Sequence, residues 1–259
     1  MDLKIMTFNV LNGWNTTKIG IRDDLAAEAI GKQSPDLLCL QEFDPCYRGA
    51  EQPLQQLIAP LYAEAGEGST WNPVFYRKDR LTLLSCGEVP FERGTTYPYP
   101  RGGISGFRTV FHVLLEDKTD GKRILVMNLH YDMCKDKEAL LENQAHECRQ
   151  AVALATALEE AATPDVTLVT GDYNARITGV PCVYMLENGF TDTHESALEK
   201  DDRGSCSPLG EPLWGNYSHA IDHVLYRARG PVTVLRYLTV DDIRAASDHS
   251  PVCVTLRLG

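Results

Sequence analysis

The 259-residue chain lacks the patterns that mark membrane and exported proteins. It has no apolar run approaching the length of about 20 residues that a helix needs to cross a bilayer. Its first residues, MDLKIMTFNVLNG, have no basic segment followed by an apolar one, so they do not read as a signal peptide. Taking Met1 as the natural start, we therefore expect a cytoplasmic protein with no membrane span.

Paired cysteines are also absent from the sequence. None of the eight cysteines forms a Cys-x-x-Cys pair, so the sequence predicts neither a zinc site nor a redox motif. Cys39 and Cys253 lie inside apolar, strand-like segments and are predicted to be small core residues. We expect all eight to be reduced thiols, at positions 39, 46, 86, 134, 148, 182, 206 and 253.

Positive charge is scarce in this chain. Lysine and arginine number 25 against 36 acidic residues, which gives a net charge of −11, and no Lys/Arg-rich run stands out. Such a surface would repel a phosphate backbone over most of its area. Nucleic acid is therefore disfavoured as a partner.

The remaining composition is that of an ordinary globular protein, with 43% hydrophobic and 24% charged residues. No repeat or linker divides the chain, so we expect one domain over residues 1–259. Helices are predicted at residues 21–32, 51–65 and 135–162, and the second is expected to be interrupted or to end near Pro60. The third has an apolar face of Leu141, Ala145, Cys148, Val152 and Ala155. Many strands and few helices favour two sheets packed face to face with helices outside. The strand-like segments read LKIMTF, DLLCLQ, NPVFYR, LTLLSCGEV, FRTVFHVLLE, RILVMNL, VTLVTG, HVLYRA, VTVLRYLTV and the C-terminal run.

Polar residues from a narrow set stand at the ends of the most apolar strand segments. A single polar residue at a strand end is typical of a turn. Considered alone, the segment with Asp248 and His249 is most simply a turn in which the histidine faces solvent. Six such strand ends, drawn only from Asn, Asp, Glu and His, are hard to explain as turns alone. Packed sheets can bring their strand ends together along one edge, where loops carry function on a rigid scaffold. Oxygen ligands suit hard divalent cations, and histidine suits acid–base chemistry near neutral pH. The residues are Asn9, Glu42, His130, Asp132, Asp172, Asn174, Asp222, Asp248 and His249.

Six motifs in a fixed order resemble the endonuclease/exonuclease/phosphatase family, which has the deoxyribonuclease I-like fold. They read TFNVLN, LCLQE, NLHYD, GDYNA, IDHVLY and SDHSPV and extend over nearly the whole chain. The resemblance implies an α/β (α+β) four-layer sandwich of two packed mixed β-sheets flanked by helices. It also implies metal-dependent hydrolysis of a phosphate ester, with Mg²⁺ or alternatively Mn²⁺ as cofactor. The substrate stays open, because this fold hosts many.

The resemblance assigns three residues to the metal region. Glu42 would be the principal Mg²⁺ ligand, and Asp248 would reach the ion directly or through water. Asn9 would position this cluster or a phosphate oxygen. Mg²⁺ usually keeps several waters and takes one or two carboxylates, so few protein ligands are enough.

Five further residues would carry the chemistry if the resemblance holds. Asp222 would orient His249, which would act either as a proton acceptor or as a hydrogen-bond donor to the scissile phosphate. Asp172 would activate or orient the attacking water, and Asn174 would hold Asp172 or a phosphate oxygen. His130 would be a second donor on the phosphate, or else a histidine satisfied at a strand end.

The sequence departs from the family pattern in places. Leu129 stands where relatives commonly have threonine, although His130 and Asp132 are kept, with Asp132 expected to support the loop or approach the substrate. Leu141 and Ala220 stand where many relatives have arginine, which removes positive charge from the neighbourhood of the substrate.

Two other features have open interpretations. Arg77 and Arg108 stand in family-like contexts, either as structural residues or as substrate contacts. Residues 93–106, which are rich in glycine, proline and aromatics, form either a substrate-facing loop or a surface connection.

Three functions compete at this point. The favoured one is a Mg²⁺-dependent phosphoesterase acting on a small or lipid-derived phosphate ester or diester by in-line attack of water. A nuclease acting on DNA or RNA is disfavoured by the acidic charge. A catalytically inactive phosphate-binding module would be indicated by loss of Asp172 or His249, and both are present. A small phosphorylated substrate is thus the expected partner, and the oligomeric state stays unknown.

Overall fold

A computed structural model describes residues 1–11, 19–44, 47, 53–66, 71–92, 108–133, 136–240 and 246–259. The helices are α1 (Ile19–Gln33), α2 (Pro53–Ile58), α3 (Lys137–Ala162), α4 (Val180–Glu187) and α5 (Thr193–Ser196), with a 3-10 turn at Tyr217–His219. The strands are β1 (Asp2–Asn9), β2 (Leu37–Gln41), β3 (Tyr62–Glu64), β4 (Val74–Arg77), β5 (Leu81–Pro90), β6 (Thr109–Asp117), β7 (Arg123–His130), β8 (Val166–Asp172), β9 (Thr191–Asp192), β10 (Ala197–Lys200), β11 (Asp222–Ala228), β12 (Val232–Thr239) and β13 (Val252–Leu258).

The strands form two mixed sheets. Sheet A has the order β10-β12-β13-β1-β2-β4-β3, and sheet B has the order β5-β6-β7-β8-β11-β9. Near the middle of each sheet two strands run parallel, β1 with β2 and β7 with β8. Their carboxyl ends therefore lie at the same edge of their sheets.

The period-2 alternation of the strands sorts side chains between two sides of each sheet. On β1, Leu3 and Ile5 enter the core between the sheets, whereas Met6 and Phe8 pack toward α1 and α2. Sheet B divides its side chains in the same way, and α3 and α4 cover its outer face. The result is the expected four-layer sandwich, and the predicted fold class is confirmed.

The helix predicted over residues 51–65 stops near Pro60 as expected, but the strand that follows it was not predicted. The helix α2 ends at Ile58, and Tyr62 begins β3, which pairs antiparallel with β4. The hydroxyl of Tyr62 donates a hydrogen bond to the carbonyl of Pro35 at 2.7 Å. Tertiary pairing overrides helical spacing here, because strand β4 offers an open edge.

The predicted inner face of α3 is also wrong in its first turns. Leu141 is exposed, and the buried positions there are taken by Gln144 and Glu147. From Cys148 onward the predicted face is correct, with Val152 also buried. Polar side chains replace apolar ones near the start of α3 because that end of the helix lies behind the cleft described below.

Other sequence predictions have mixed outcomes. The patterns missed β9, β10, α4 and α5. These elements have eight residues or fewer, which is too short for their periodicity to be detected.

Cys39 and Cys253 are buried as predicted, and the six described cysteines are free, whereas Cys46 and Cys134 lie outside the described residues. No helix within the described ranges is long and apolar enough to cross a membrane.

Candidate active site

A buried polar network joins the two sheets just below the edge where their parallel strands end. The Gln41 side chain donates to Asn128 Oδ1 at 2.7 Å and to Thr7 Oγ1 at 3.0 Å. The Asn128 amide in turn donates to the carbonyls of Leu40 and Pro73. These contacts fix how the end of one sheet faces the end of the other, and they lie inside segments that otherwise read as apolar strand.

Register places three of the predicted site residues in one row across sheet B. His130 is paired with Asp172 on the parallel strands β7 and β8, and Asp222 is paired with Asp172 on the antiparallel strands β11 and β8. Neighbouring strands lie about 4.8 Å apart, so this row brings the side chains within reach of one another.

Glycine is required just before Asp172. Gly171 has a φ of 146°, and a β-carbon there would lie 1.9 Å from the carbonyl oxygen of Leu129 on the neighbouring strand. Any side chain would push β7 and β8 apart at this point. The glycine thereby allows the row of His130 and Asp172 to form.

Asp172 is the centre of the site. Its Oδ2 accepts a hydrogen bond from Asn9 Nδ2 at 3.0 Å and lies 3.3 Å from His130 Nε2. Its Oδ1 accepts the backbone N–H of Asn174 at 2.8 Å, in a turn that holds Asn174 at a φ of 46°. Burial raises the pKa of the Asp172 carboxyl, and the charge of Asp222 adds to this, although His249 acts in the opposite direction.

His249 and Asp222 form a buried pair. His249 Nδ1 lies 2.8 Å from Asp222 Oδ2, and the same oxygen accepts a hydrogen bond from the Ser205 hydroxyl at 2.6 Å. The other ring nitrogen, Nε2, lies 3.7 Å from Asp172 Oδ2. Burial acts to lower the pKa of His249, but the carboxylates of Asp222 and Asp172 outweigh it and raise that pKa to about 10. His249 is therefore an imidazolium at neutral pH.

The second histidine has the opposite electrostatic character. Burial, together with the positive charges of Arg108 and His249, holds the pKa of His130 well below its usual range. His130 is therefore neutral at pH 7. The site combines one charged and one neutral imidazole around the same carboxylate, and the difference follows from which groups surround each ring.

Glu42, Asp248 and Asn9 lie together beside this centre. Asn9 Nδ2 donates to Glu42 Oε1 at 3.2 Å as well as to Asp172, while Asn9 Oδ1 accepts the N–H of Leu11. Burial raises the pKa of Asp248, and the negative charge of Glu42 contributes. Two neighbouring carboxylates that repel each other in a partly buried place are a donor set that suits a divalent cation.

These residues line one open cleft with a volume of about 490 Å³. Eight of the nine residues predicted for the site either line it or hydrogen-bond a residue that does. The lining residues are Glu42, Arg108, His130, Met133, Asp172, Asn174, Cys206, Ser207, Pro208, Trp214, Ile221, Asp248 and His249.

The ninth residue, Asp132, lies just behind the cleft and is buried. Its Oδ2 accepts from Asn143 Nδ2 at 2.8 Å, and its Oδ1 lies 3.8 Å from Nε of the cleft residue Arg108. Its backbone N–H donates to Glu147 Oε2 at 2.8 Å. Asp132 therefore supports the loop after β7, and it links that loop to the start of α3.

Sequence reasoning missed several residues that position the site. Gln144 Nε2 donates to the carbonyls of Asp132 at 3.1 Å and Asn174 at 3.2 Å, which ties the loops after β7 and β8 together. Ser205 was also missed, since no strand pattern marks it. In the sequence Gln144 is a polar residue within a predicted helix, and such a residue is normally taken to face solvent. The sequence therefore gave no sign of its role. Arg77 pairs with Asp79, and residues 93–106 lie outside the described residues.

Comparisons with known proteins identify the family and the fold. A family model described as "Endonuclease/Exonuclease/phosphatase family" matches residues 6–249. No curated protein sequence matches the chain significantly. A mannosyl-6-phosphatase from Bacteroides thetaiotaomicron has a similar structure, with a TM-score of 0.77, 20% identity, and coverage of 98% of this chain and 99% of that chain.

Two further solved structures are similar. The human Nocturnin catalytic domain has a TM-score of 0.73 and 18% identity, covering 100% of this chain and 95% of its own. TDP2 from D. rerio, complexed with a single-strand DNA product, has a TM-score of 0.72 and 20% identity, covering 99% of each chain. At these identities the likeness concerns the fold.

The two-sheet sandwich and the acidic, histidine-containing cleft at its strand ends define a phosphoesterase, a hydrolase acting on ester bonds. The chain belongs to the endonuclease/exonuclease/phosphatase family. The predicted family and enzyme class are confirmed.

Proposed function

We propose that the protein is a Mg²⁺-dependent phosphoesterase that hydrolyses a small or lipid-derived phosphate ester in this cleft, with Mn²⁺ able to replace Mg²⁺. The observation that carries the proposal is the convergence on Asp172. His130 Nε2 and His249 Nε2 lie 3.3 Å and 3.7 Å from the same carboxylate oxygen. A carboxylate and two imidazoles around one point can accept a proton from water and donate hydrogen bonds to a phosphate, which assists in-line attack on phosphorus.

Glu42 and Asp248 would hold the metal ion, and Asn9 would orient Glu42 toward it. When bound, the ion supplies positive charge to the phosphoryl oxygens and lowers the pKa of coordinated water. The donor set fits this role, because burial and the charge of Glu42 raise the pKa of Asp248 and a bound cation would favour its ionised form.

The protein side chains divide the proton chemistry. Asp172, whose pKa burial raises toward neutrality, accepts a proton from the attacking water. The water oxygen forms the new bond to phosphorus as the bond to the leaving oxygen breaks. The leaving oxygen keeps the bonding electron pair and takes a proton from solvent in the open cleft, which releases the alcohol. His249, held as an imidazolium by Asp222, donates a hydrogen bond to the phosphate. His130 contributes a neutral N–H to the same group, and Asn174 holds Asp172 in place.

The acidic charge of −11 supports a small substrate over a nucleic acid. Arg108 is the arginine among the described cleft residues, and it lies 3.8 Å from Asp132 rather than on an exposed basic strip. The similar mannosyl-6-phosphatase is by its name a phosphatase that acts on a phosphorylated sugar, which supports this choice. The alternative, a nuclease, has its own support in the TDP2 structure with a DNA product.

The test is an activity screen with phosphate monoesters, diesters, phospholipids and single- and double-stranded DNA, each with Mg²⁺, with Mn²⁺ and with EDTA. We expect metal-dependent turnover of a small ester and poor cleavage of plasmid DNA at physiological salt. Efficient plasmid cleavage would favour the nuclease, and activity undiminished by EDTA would contradict the metal requirement.

The metal assignment has a separate test that does not depend on turnover. Glu42→Gln should weaken Mg²⁺ binding, measured by calorimetry, at least about tenfold, because it removes the principal anionic ligand. Glu187→Gln, at an exposed position at the end of α4, is the matched control and should bind Mg²⁺ like the native protein. Equal Mg²⁺ affinity in both variants would show that Glu42 is not a ligand.

A further inference from the structure

The cleft is lined in part by apolar side chains that are open to solvent. Trp214 is 59% exposed and Met133 is 61% exposed, and both line the cleft that contains His130 and His249. Pro208 lines the same cleft. Large apolar side chains that stay exposed are informative when they cluster at a binding cleft, since burying them in the protein would have been favourable.

The tryptophan is attached to the catalytic framework rather than to an independent loop. The backbone N–H of Trp214 donates to the carbonyl of Cys206 at 3.1 Å, and Cys206 forms an antiparallel bridge with His249. A β-carbon at Gly204 would lie 2.1 Å from the carbonyl oxygen of Trp214, so glycine permits this close approach. The position of the indole is thus tied to that of His249 through the backbone.

The lining of the cleft suits two parts of one ligand. The histidines and carboxylates suit a phosphate and its metal ion. The indole of Trp214, which lines the same cleft, offers a flat apolar face on which a ring stacks, and the thioether of Met133 can adapt to the shape of an apolar group. An ester that places its phosphate at the histidines has its organic group within the same cleft as the indole.

We propose that Trp214, with Met133 and Pro208, forms a subsite for a ring in the organic group of the phosphate ester, so that the substrate is a ring-bearing phosphate. The inference rests on the proposed function for where the phosphate lies. The shared chemistry is an apolar ring face, which either an aromatic group or a sugar presents. A flexible acyl chain would gain less from a single flat indole.

The test uses phosphonates, whose carbon–phosphorus bond this chemistry leaves intact, so binding is measured even if no ester is turned over. Phenylphosphonate, methylphosphonate and decylphosphonate are titrated calorimetrically in the presence of Mg²⁺. We expect phenylphosphonate to bind about tenfold more tightly than methylphosphonate, a gain in keeping with one stacked ring. Trp214→Ala should remove this preference, and Trp214→Phe should restore most of it.

Leu209→Ala is the matched control, because Leu209 is 40% exposed, lies in the same loop and is not among the cleft residues. It should keep the full preference for phenylphosphonate. Displacement of phenylphosphonate by a hexose 6-phosphate more readily than by phenyl phosphate would identify the ring as a sugar, and the reverse order would identify it as aromatic.

Two outcomes would overturn the proposal. One is equal affinity for phenyl- and methylphosphonate, or a preference that survives in Trp214→Ala. The other is tightest binding of decylphosphonate, independent of Trp214, which would indicate a lipid chain. Absence of ester hydrolysis together with a Trp214-dependent ring preference would instead refute the proposed function and leave the ring subsite supported.

Discussion

The buried pair of His249 and Asp222 allows a double-mutant cycle to test how the site works. His249→Ala should lower turnover of the ester found in the screen by about 10²-fold or more, because it removes a hydrogen-bond donor to the transition state. Asp222→Ala should cause a loss of similar size, since the 2.8 Å contact to Nδ1 would no longer orient the ring. The double variant should lose far less than the product of the two single losses, because the pair acts as one unit.

The same cycle should be visible in protein stability. His249 and Asp222 are 8% and 1% exposed, so removing one partner leaves the other as a buried group that lacks its counter-charge. Breaking a buried pair in this way typically costs about 3–5 kcal/mol of unfolding free energy. Removing both partners should cost less than the sum of the two single changes. Urea unfolding of all four proteins measures this coupling.

The controls separate chemistry from folding. His249→Asn keeps a short side-chain donor near Asp222 but lacks the outer ring nitrogen, so it should fold well and still lose turnover. His219→Ala changes an exposed histidine on the 3-10 turn and should leave both measurements unchanged. Additive losses in the cycle would show that Asp222 does not act through His249. A fully active His249→Ala enzyme would refute the assignment of this histidine altogether.

Three further predictions concern pH, backbone geometry and loop positioning. The pKa of His249 rises from 6.5 to about 10 on folding, so its stabilising contribution is complete below about pH 6.5 and is lost as the pH rises through 10. Between these limits the unfolding free energy of the metal-free native protein should fall relative to that of His249→Asn; parallel pH profiles would contradict the shift. Gly171→Ala should destabilise the fold by several kcal/mol and abolish turnover, because the new methyl group would collide with the Leu129 carbonyl. The control is Gly230→Ala, because a β-carbon at Gly230 meets open space. A native-like melting temperature for Gly171→Ala would refute the argument. Gln144→Ala should lower kcat about tenfold or more, because it releases the two loops that the Gln144 amide joins. Gln150→Ala, on the same helix, should leave kcat unchanged. Equal kcat values for the two variants would mean that Gln144 has only a structural role.

Site residues could be predicted from the sequence where a polar residue of a suitable type stands at the end of a clear strand pattern. The alternation in β1 predicts both sides of sheet A, because a strand exposes successive side chains to opposite faces. Asp172 could be found because it ends a strongly apolar strand that proves fully buried. The residues behind it could not be found in this way. Gln144 lies on a helix whose polar positions normally face water, and only its burial against the β7 and β8 loops reveals its role.

By itself, the sequence determined that apolar strands would pack into two covered sheets and that oxygen- and nitrogen-bearing side chains would stand at their ends. The tertiary structure decided which of these ends meet. Asn9 and Asp172 are 163 residues apart in the chain, yet the packing of sheet A on sheet B brings them to 3.0 Å. It also decided that His130 is neutral and His249 charged, although both are histidines beside the same carboxylate. The physical reason is that local periodicity encodes which face of a strand is buried, whereas distances and pKa values depend on neighbours that only packing supplies.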